Sequence, residues 1–493
     1  MFGYKYSDLR MKDCICVING QVVAVETNQP VKNPIDEDLL GKYFKYEDGV
    51  YKLSTTPPTL NSGANLRELL YKNGFYCNGI HYVRMKRSSG SARVGKCLFI
   101  NEALYKQMHK WEMCGLNVEC GQEIDLAALE SYISLPTSSI IDTLKINPEN
   151  ILVIDDYESV FKDEVIAVRD NGGYLKANQE VVEVCNSIWD GQGLLDVSVF
   201  ENYADKGMLL LRNLFFKCCC FNTNIQKWFK DNNITQVSQL NGFTLAKDIK
   251  DVKLITTPSS IKYLKFGSLE EWLRCIDDTF GIVKYDKKTH YFDGTMVQTH
   301  YQLINTLQMD KDDVKAFLKP SLDFAQQLQS DPAVLKYFIK YPENREISDS
   351  PMSDKNSLVY NLMNVNKDFT NTKYYYEFTN DLVRAFYKNL KRGHVYVNGN
   401  YSTMLGNPIE MLQSSIGCFY GESQIGIGNI HSTRFEYNKV LLGSRSPHVT
   451  MANVWLPINK ENKLIDCYFN LTEEIVCVNS INENVLNRLS GAD

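Results

Sequence analysis

The stretch Gly443-Ser444-Arg445-Ser446-Pro447-His448-Val449-Thr450 leads through Trp455-Leu456-Pro457 to Ser490-Gly491-Ala492-Asp493. Taken singly, Arg-Ser-Pro and Gly-Ala-Asp are ordinary turn formers. What surrounds them is sheet: Val449 to Leu456 and Ile475 to Val478 are β-branched runs separated by Asn and Gly, so the chain from Val395 onward is expected to be largely strands and turns. Residues 487–493 follow a strand-like segment with neither a polar tail nor a helix cap. The chain is therefore expected to be truncated where a structural element should continue.

Working back from that region, Lys311 to Leu390 has helical spacing, with Phe378, Leu382, Val383, Phe386 and Leu390 on one apolar stripe that reads as core rather than as a base-stacking platform. Ser268 and Glu271 form a capping box and mark a helix start. Upstream the pattern is mixed. Helical spacing at Ala103 to Met113 and Glu123 to Ile133 precedes strands at Ile151 to Ile154 and Val165 to Val168. Asn19-Gly20 between Cys14 to Ile18 and Gln21 to Val25 predicts a hairpin. No repeat of solenoid period is visible.

Composition bounds the rest. With 493 residues, 44% hydrophobic and 23% charged, the chain can build more than one core, which excludes disorder, collagen and simple repeats. A net charge of −6 means that any nucleic-acid surface must be a local basic groove on an acidic body. The 14 cysteines show no paired zinc pattern and no secretory leader precedes them, so the thiols are expected to be reduced and the protein cytoplasmic. The longest apolar stretch, Met208 to Phe221, is broken by Arg212, Asn213 and Lys217, which argues against a membrane span.

The order of motifs resembles the two-barrel RNA polymerases, above all the single-chain members: the RNA-silencing RNA-dependent RNA polymerases and the phage-type single-chain polymerases. That family carries an Arg-x-Pro-(Thr/Ser)-x-His stretch, a strand, and an Asn-Ala-Asp-Phe-Asp-Gly-Asp loop whose aspartates hold magnesium. The matching residues are Arg445-Ser446-Pro447 and Gly491-Ala492-Asp493; two departures are His448 directly after the proline and a loop that stops at its first metal ligand. Trp189-Asp190-Gly191-Gln192-Gly193, Lys206-Gly207-Met208, Leu211 to Lys217 and Thr257-Pro258-Ser259-Ser260-Ile261-Lys262-Tyr263-Leu264-Lys265-Phe266 resemble the lysine-bearing barrel. The likeness covers roughly residues 180 to 270 and 395 to 493.

The resemblance implies an α+β fold of two double-psi β-barrels joined by a mainly helical region, after an N-terminal mixed α+β domain. Its boundaries would be 1–180, 181–267 for the lysine-bearing barrel, 268–394 for the connector and 395–493 for the second barrel. It implies template-directed RNA synthesis with Mg²⁺, a nucleic-acid template and ribonucleoside triphosphates. Lys217 and either Lys262 or Lys265 would face the triphosphate, where compact charges neutralise the leaving pyrophosphate. Arg445 would bind ribose or phosphate, with His448, Lys206 and Arg212 also contacting substrate, and Asp493 would be catalytic as a metal ligand. One carboxylate supplies too few hard oxygens for catalytic metal, so a missing C-terminal polypeptide would have to supply the rest.

Elsewhere, Arg84-Met85-Lys86-Arg87-Ser88-Ser89-Gly90-Ser91-Ala92-Arg93-Val94-Gly95-Lys96 packs five basic residues among small ones, which suits phosphate contact through Arg84, Lys86, Arg87, Arg93 and Lys96. Asn398 to Pro408 reads as two turns, Asp155-Asp156 as a surface turn, and His290, His300 and Asp293 as structural or channel-lining. Two other classes stay open: a non-catalytic nucleic-acid-binding or assembly module with a polymerase-like shell, and an unrelated globular enzyme.

Overall fold

The computed structural model describes residues 70–86, 97–118, 123–289, 292–340, 355–448 and 453–489, together with strands at 14–18, 21–24, 29–30, 44–47 and 50–53. The chain divides into two compact units. One comprises 1–148, 210–218 and 260–284; the other comprises 149–209, 219–259 and 285–493.

The second unit is built on two sheets that share one connectivity. The first contains β1 (Ile151–Val153), β2 (Gln192–Asp196), residues 219–223 of β3 (Phe216–Thr223) and β4 (Leu254–Thr256). The second contains β5 (Thr403–Gly406), β6 (Asn429–His431), β7 (Ile458–Asn459) and β8 (Ile475–Val478). In the first, β1 runs parallel to β4, β2 parallel to residues 219–223 of β3, and β2 antiparallel to β4. In the second, β5 runs parallel to β8, β6 parallel to β7, and β6 antiparallel to β8. The spatial orders β1-β4-β2-β3 and β5-β8-β6-β7 are therefore the same topology used twice.

Such strands form because they are covered on both faces. Ile-Leu-Val in β1 and Leu-Ile-Thr in β4 are buried throughout, the continuous apolar run expected of parallel strands. One core joins the sheets: Leu152, Leu194, Phe221 and Ile255 from the first meet Leu405, Ile475 and Cys477 from the second, with Trp189 and Ile409 between them. Cys477 acts there as a small apolar residue.

Helices Lys311–Ser330, Pro332–Lys340, Lys355–Val365 and Lys373–Leu390 follow, as the 3.6-residue spacing predicts. The stripe is core: Val383 and Phe386 pack with Phe324, Leu328 and Tyr396, against which Phe378 and Leu382 lie. A two-stranded ribbon, Glu158–Asp170 with Leu175–Ser187, keeps register over its whole length.

In the first unit the Asn19-Gly20 hairpin is borne out by antiparallel pairing from Ile15↔Ala24 to Ile18↔Gln21, its two turn residues lying outside the described residues. Helices at Glu102–Glu112 and Leu126–Ile133 match their expected positions. Ser268 and Glu271 form the reciprocal cap of Leu269–Cys275. Trp272 on that helix donates its indole N–H to Leu214 O at 2.9 Å and stacks on Phe216.

Two elements differ from expectation. No strand runs through 453–456; Trp455 makes a paired bridge to Gly443, and the next contact, Leu441 N–H to Pro457 O, is one-sided because Pro457 has no N–H. The segment before residue 489 is a short helix, Val485–Arg488, rather than sheet. No described helix is long and apolar enough to cross a membrane.

Candidate functional site

The Arg-x-Pro loop and the segment leading to Asp493 are held together by backbone carbonyls. Arg445 is exposed, and its Nη1 donates to Leu489 O at 3.3 Å. Asn453 Nδ2 donates to Arg488 O at 3.1 Å and to Asn487 O at 3.5 Å. These bonds engage the helix end at 487–489 because its last carbonyls have no intrahelical partner. Behind it, Val485, Leu486 and Leu489 pack with Ile430, Trp455 and Val478. Asp493 itself lies outside the described residues.

His448 is half-buried. Its backbone N–H donates to Gln302 Oε1 and its Nδ1 lies 3.3 Å from Thr306 Oγ1. Burial, and secondarily the neighbouring His300, holds its pKa below the ordinary histidine value, which favours the neutral ring. His300 is used locally: its Nδ1 accepts from Gln302 N at the start of Tyr301–Thr306. His290 and the side chain of Asp293 lie outside the described residues.

The Trp189–Gly193 and Thr257–Ser259 motifs meet. Ser259 N–H donates to Asp156 Oδ2 at 2.9 Å, and Ser259 Oγ accepts from Gly191 N–H at 3.2 Å. Asp156 thus caps a turn, in keeping with its reading as a turn residue. Gln192, buried in β2, forms a reciprocal pair with Gly406: Nε2 donates to Gly406 O and Oε1 accepts Gly406 N–H, both at 2.8 Å. A Cβ on Gly406 would stand 2.7 Å from Ile188 O, so glycine is required there. Asn407 follows in the left-handed region at φ 41° and is fully buried. Its Oδ1 accepts from Ser480 N and Oγ, and its Nδ2 donates to Ser423 and Asn479. Trp189 Nε1 donates to its carbonyl. Asn398 to Pro408 therefore ends as a structural joint between the two sheets, and it is not two turns as expected, because Thr403–Gly406 pairs as β5.

Lys206 sits in the second unit, where its ammonium pairs with Asp205 at 2.5 Å and lies 5.4 Å from the Tyr285 ring centroid. The Asp205 hydrogen bond raises its pKa. Beside it, Asp286 accepts from Gly207 N, Met208 N and Thr472 Oγ1.

In the first unit, Phe216 bridges Ile261, and Lys262 N–H donates to Phe215 O at 2.7 Å. This sets Lys262 opposite Phe215, with Lys217 two residues further along its strand. Lys217 is exposed between buried Phe216 and Cys218, and Lys262 is half-buried. Lys265 lies over the Tyr132 ring at 5.3 Å, and its pKa is raised chiefly by the hydrogen bond to Tyr132. Arg212 Nη1 donates to Leu211 O.

Lys86 requires correction as a phosphate contact. It is 1% exposed; its Nζ donates to Glu112 Oε2 at 2.5 Å and to Ile133 O at 2.7 Å, so its charge is spent inside the unit. Arg84 pairs with Glu130 at 3.4 Å and sits over Tyr71. Arg87, Arg93 and Lys96 lie outside the described residues. Among the described residues, no group of three or more His, Cys, Asp or Glu is placed to hold a metal ion.

The sequence reading quoted Gln192 and Asn407 without the roles they play, and missed Asp286 and Glu410. Glu410 is fully buried; its Oε1 accepts Gln424 N–H, its Oε2 has no hydrogen-bond partner among the described residues, and burial raises its pKa. The one local signal was Asn407 before a proline, a position biased away from the right-handed helix.

Two mixed sheets of one topology share a core in an α+β fold that is similar to a solved RNA-dependent RNA polymerase fold. A solved structure that shares it is the RNA dependent RNA polymerase QDE-1 from Thielavia terrestris, with a TM-score of 0.56 at 14% identity over 89% of this chain. The chain spans 46% of that polymerase's length. No protein-family model matches the sequence, and no curated protein matches it.

Proposed function

We propose that this chain forms part of a template-directed RNA polymerase, with its two repeated sheets belonging to two double-psi β-barrels. The observation that carries the reading is the joining of the Arg-x-Pro loop to the helix end just before Gly491-Ala492-Asp493, in a chain whose fold is shared with an RNA-dependent RNA polymerase. Arg445 is assigned to ribose or phosphate, His448, Lys206 and Arg212 to substrate, and Lys217 with Lys262 or Lys265 to the triphosphate. The carboxylate of Asp493 is assigned to Mg²⁺. When bound, magnesium would neutralise phosphate charge in nucleotidyl transfer. Among the described residues no cluster of carboxylates, histidines or cysteines is placed to hold it.

What the side chains can do is electrostatic. Lys217 projects from a strand whose neighbouring residues are locked in the core, and a lysine so placed presents a compact charge at a fixed height. Arg87, Arg93 and Lys96 remain assigned to the nucleic-acid backbone.

The test is equilibrium binding of a nucleoside triphosphate with Mg²⁺, and of single-stranded RNA across a salt titration. Lys217→Ala is expected to weaken nucleotide binding about tenfold, equivalent to about 1.4 kcal/mol, without moving the thermal midpoint. Absence of both nucleotide and RNA binding at low salt would overturn the proposal. RNA binding with a steep salt slope but no nucleotide affinity would transfer support to a non-catalytic nucleic-acid-binding module.

A further inference from the structure

Cys467, exposed on the helix Lys463–Tyr468, touches a lysine 240 positions away. Lys227, on the helix Ile225–Asp231, donates from Nζ to Cys467 Sγ at 2.7 Å. The N–H···S contact between Gln192 and Met411 measures 3.6 Å, so the Lys227–Cys467 pair is about 0.9 Å closer. The two side chains are held there by their helices. Asn224 N–H donates to Tyr468 O at 2.7 Å, Trp228 packs edge-on to the Tyr468 ring at 5.0 Å, and the Tyr468 hydroxyl donates to Asp231 Oδ2 at 3.2 Å. Lys227 Nζ also lies 3.2 Å from Asp231 Oδ2 and 4.5 Å above the Tyr468 ring centroid. A nucleophilic sulfur, an amine and a carboxylate that can accept the amine's proton thus share one accessible site, outside every residue assigned to nucleotide or template.

We propose that Cys467 and Lys227 form a redox-controlled covalent nitrogen–sulfur crosslink, made by peroxide and undone by thiols. The Cys467 thiolate attacks hydrogen peroxide, giving the sulfenic acid and hydroxide; sulfur is oxidised by two electrons and the peroxide is reduced. Lys227 then yields a proton through Asp231 to that hydroxide, and the neutral amine attacks the sulfenyl sulfur. The N–S bond forms, the S–O bond breaks and water leaves. In sum, thiolate, ammonium and one hydrogen peroxide become one sulfenamide and two waters. Sulfenic acids condense in this way with backbone nitrogen, and a lysine amine is a better nucleophile than an amide. Reversal consumes two thiols, which leave as a disulfide while free cysteine and lysine are restored. Before oxidation, Lys227 stays charged because the bond to Cys467, and then that to Asp231, raises its pKa. The bond would tie the helix that follows β3 to the helix that precedes β8.

The experiment treats the full chain with hydrogen peroxide, alkylates the remaining thiols, and maps peptides by mass spectrometry. The expected product joins the peptides carrying Lys227 and Cys467, two hydrogens lighter than their sum. It should disappear on dithiothreitol treatment and be missing from Cys467→Ser and Lys227→Met, both exposed positions where folding tolerates change. Fragment ions must place the link on Lys227, which separates it from a disulfide. Recovery of Cys467 as a sulfinic acid, or in a disulfide, with Lys227 unlinked in the unmutated chain would overturn the proposal.

Discussion

Replacing Lys86 separates a structural charge from a nucleic-acid contact. Its ammonium and the Glu112 carboxylate are 1% and 0% exposed and 2.5 Å apart; Ile133 O and His109 Nδ1, 3.1 Å from Glu112 Oε1, complete the set. Removing one member leaves the other charged and buried, which costs about 3–5 kcal/mol, whereas replacing both with apolar residues of similar volume is near neutral. Lys86→Met and Glu112→Leu should therefore each destabilise the first unit by about 3–5 kcal/mol, and the double variant should recover most of that loss. Urea unfolding in a double-mutant cycle measures the coupling, with native-state hydrogen exchange of the Glu102–Glu112 helix as the local probe. The same double variant should bind single-stranded RNA with an unchanged salt slope. A phosphate contact would instead lower that slope by about 0.7. A neutral Lys86→Met, a double variant as unstable as the sum of the singles, or a reduced slope in the double variant would each refute the reasoning.

Three further outcomes follow from other buried groups. His448 has a folded pKa below 6.5, so its contribution to stability is complete above that pH and is lost as pH falls through the folded value; melting curves of His448→Gln should be flatter between pH 7 and 5, and parallel curves would refute the burial argument. Gln192→Leu orphans Gly406 N–H and O, at about 1–3 kcal/mol for each group, measurable as a drop in unfolding free energy; an unchanged value would show that the pair is dispensable. Glu410 has a raised pKa, so its contribution is full below 4.5 and fades as pH rises through the folded value; Glu410→Gln should gain stability over the unmutated chain at pH 8 relative to pH 5, and a pH-independent difference would count against it.

Local patterns were legible wherever one short segment contains its own instructions. Ser268 with Glu271 specifies a helix start, and the residue spacing in Lys373–Leu390 specifies its buried face, because both act within a turn or two of backbone. The duplicated sheet was hidden because its strands run from two to eight residues and pair across long separations. Nothing near Gln192 indicates a partner at Gly406. Lys86 was misread for a local reason. The register shift between Arg84 and Lys86 interrupts alternation, so Met85 and Lys86 are both buried, and a basic string on paper turns inward at one residue. The contact of the Arg-x-Pro loop with the helix end was not legible, because Arg445 reaches the backbone carbonyl of Leu489, whose side chain carries no mark of it.

Arg445 consequently has two separable roles. Its Nη1 bond to Leu489 O helps fix the helix end before Asp493, while the assignment to substrate requires its guanidinium fork to reach ribose or phosphate. Asn453 touches the same helix end at Asn487 O and Arg488 O. If Arg445 served only as a brace, Asn453→Ala and Arg445→Lys would damage nucleotide affinity alike, through the same displaced segment. If its fork binds substrate, the two diverge: Arg445→Lys keeps the charge but loses bidentate geometry, and nucleotide affinity falls about tenfold, while Asn453→Ala leaves affinity within about twofold and lowers only thermal stability. Divergence is the expected result. Equal losses of affinity in both variants would reduce Arg445 to a positioning residue and leave Lys217 and its neighbours as the proposed nucleotide contacts.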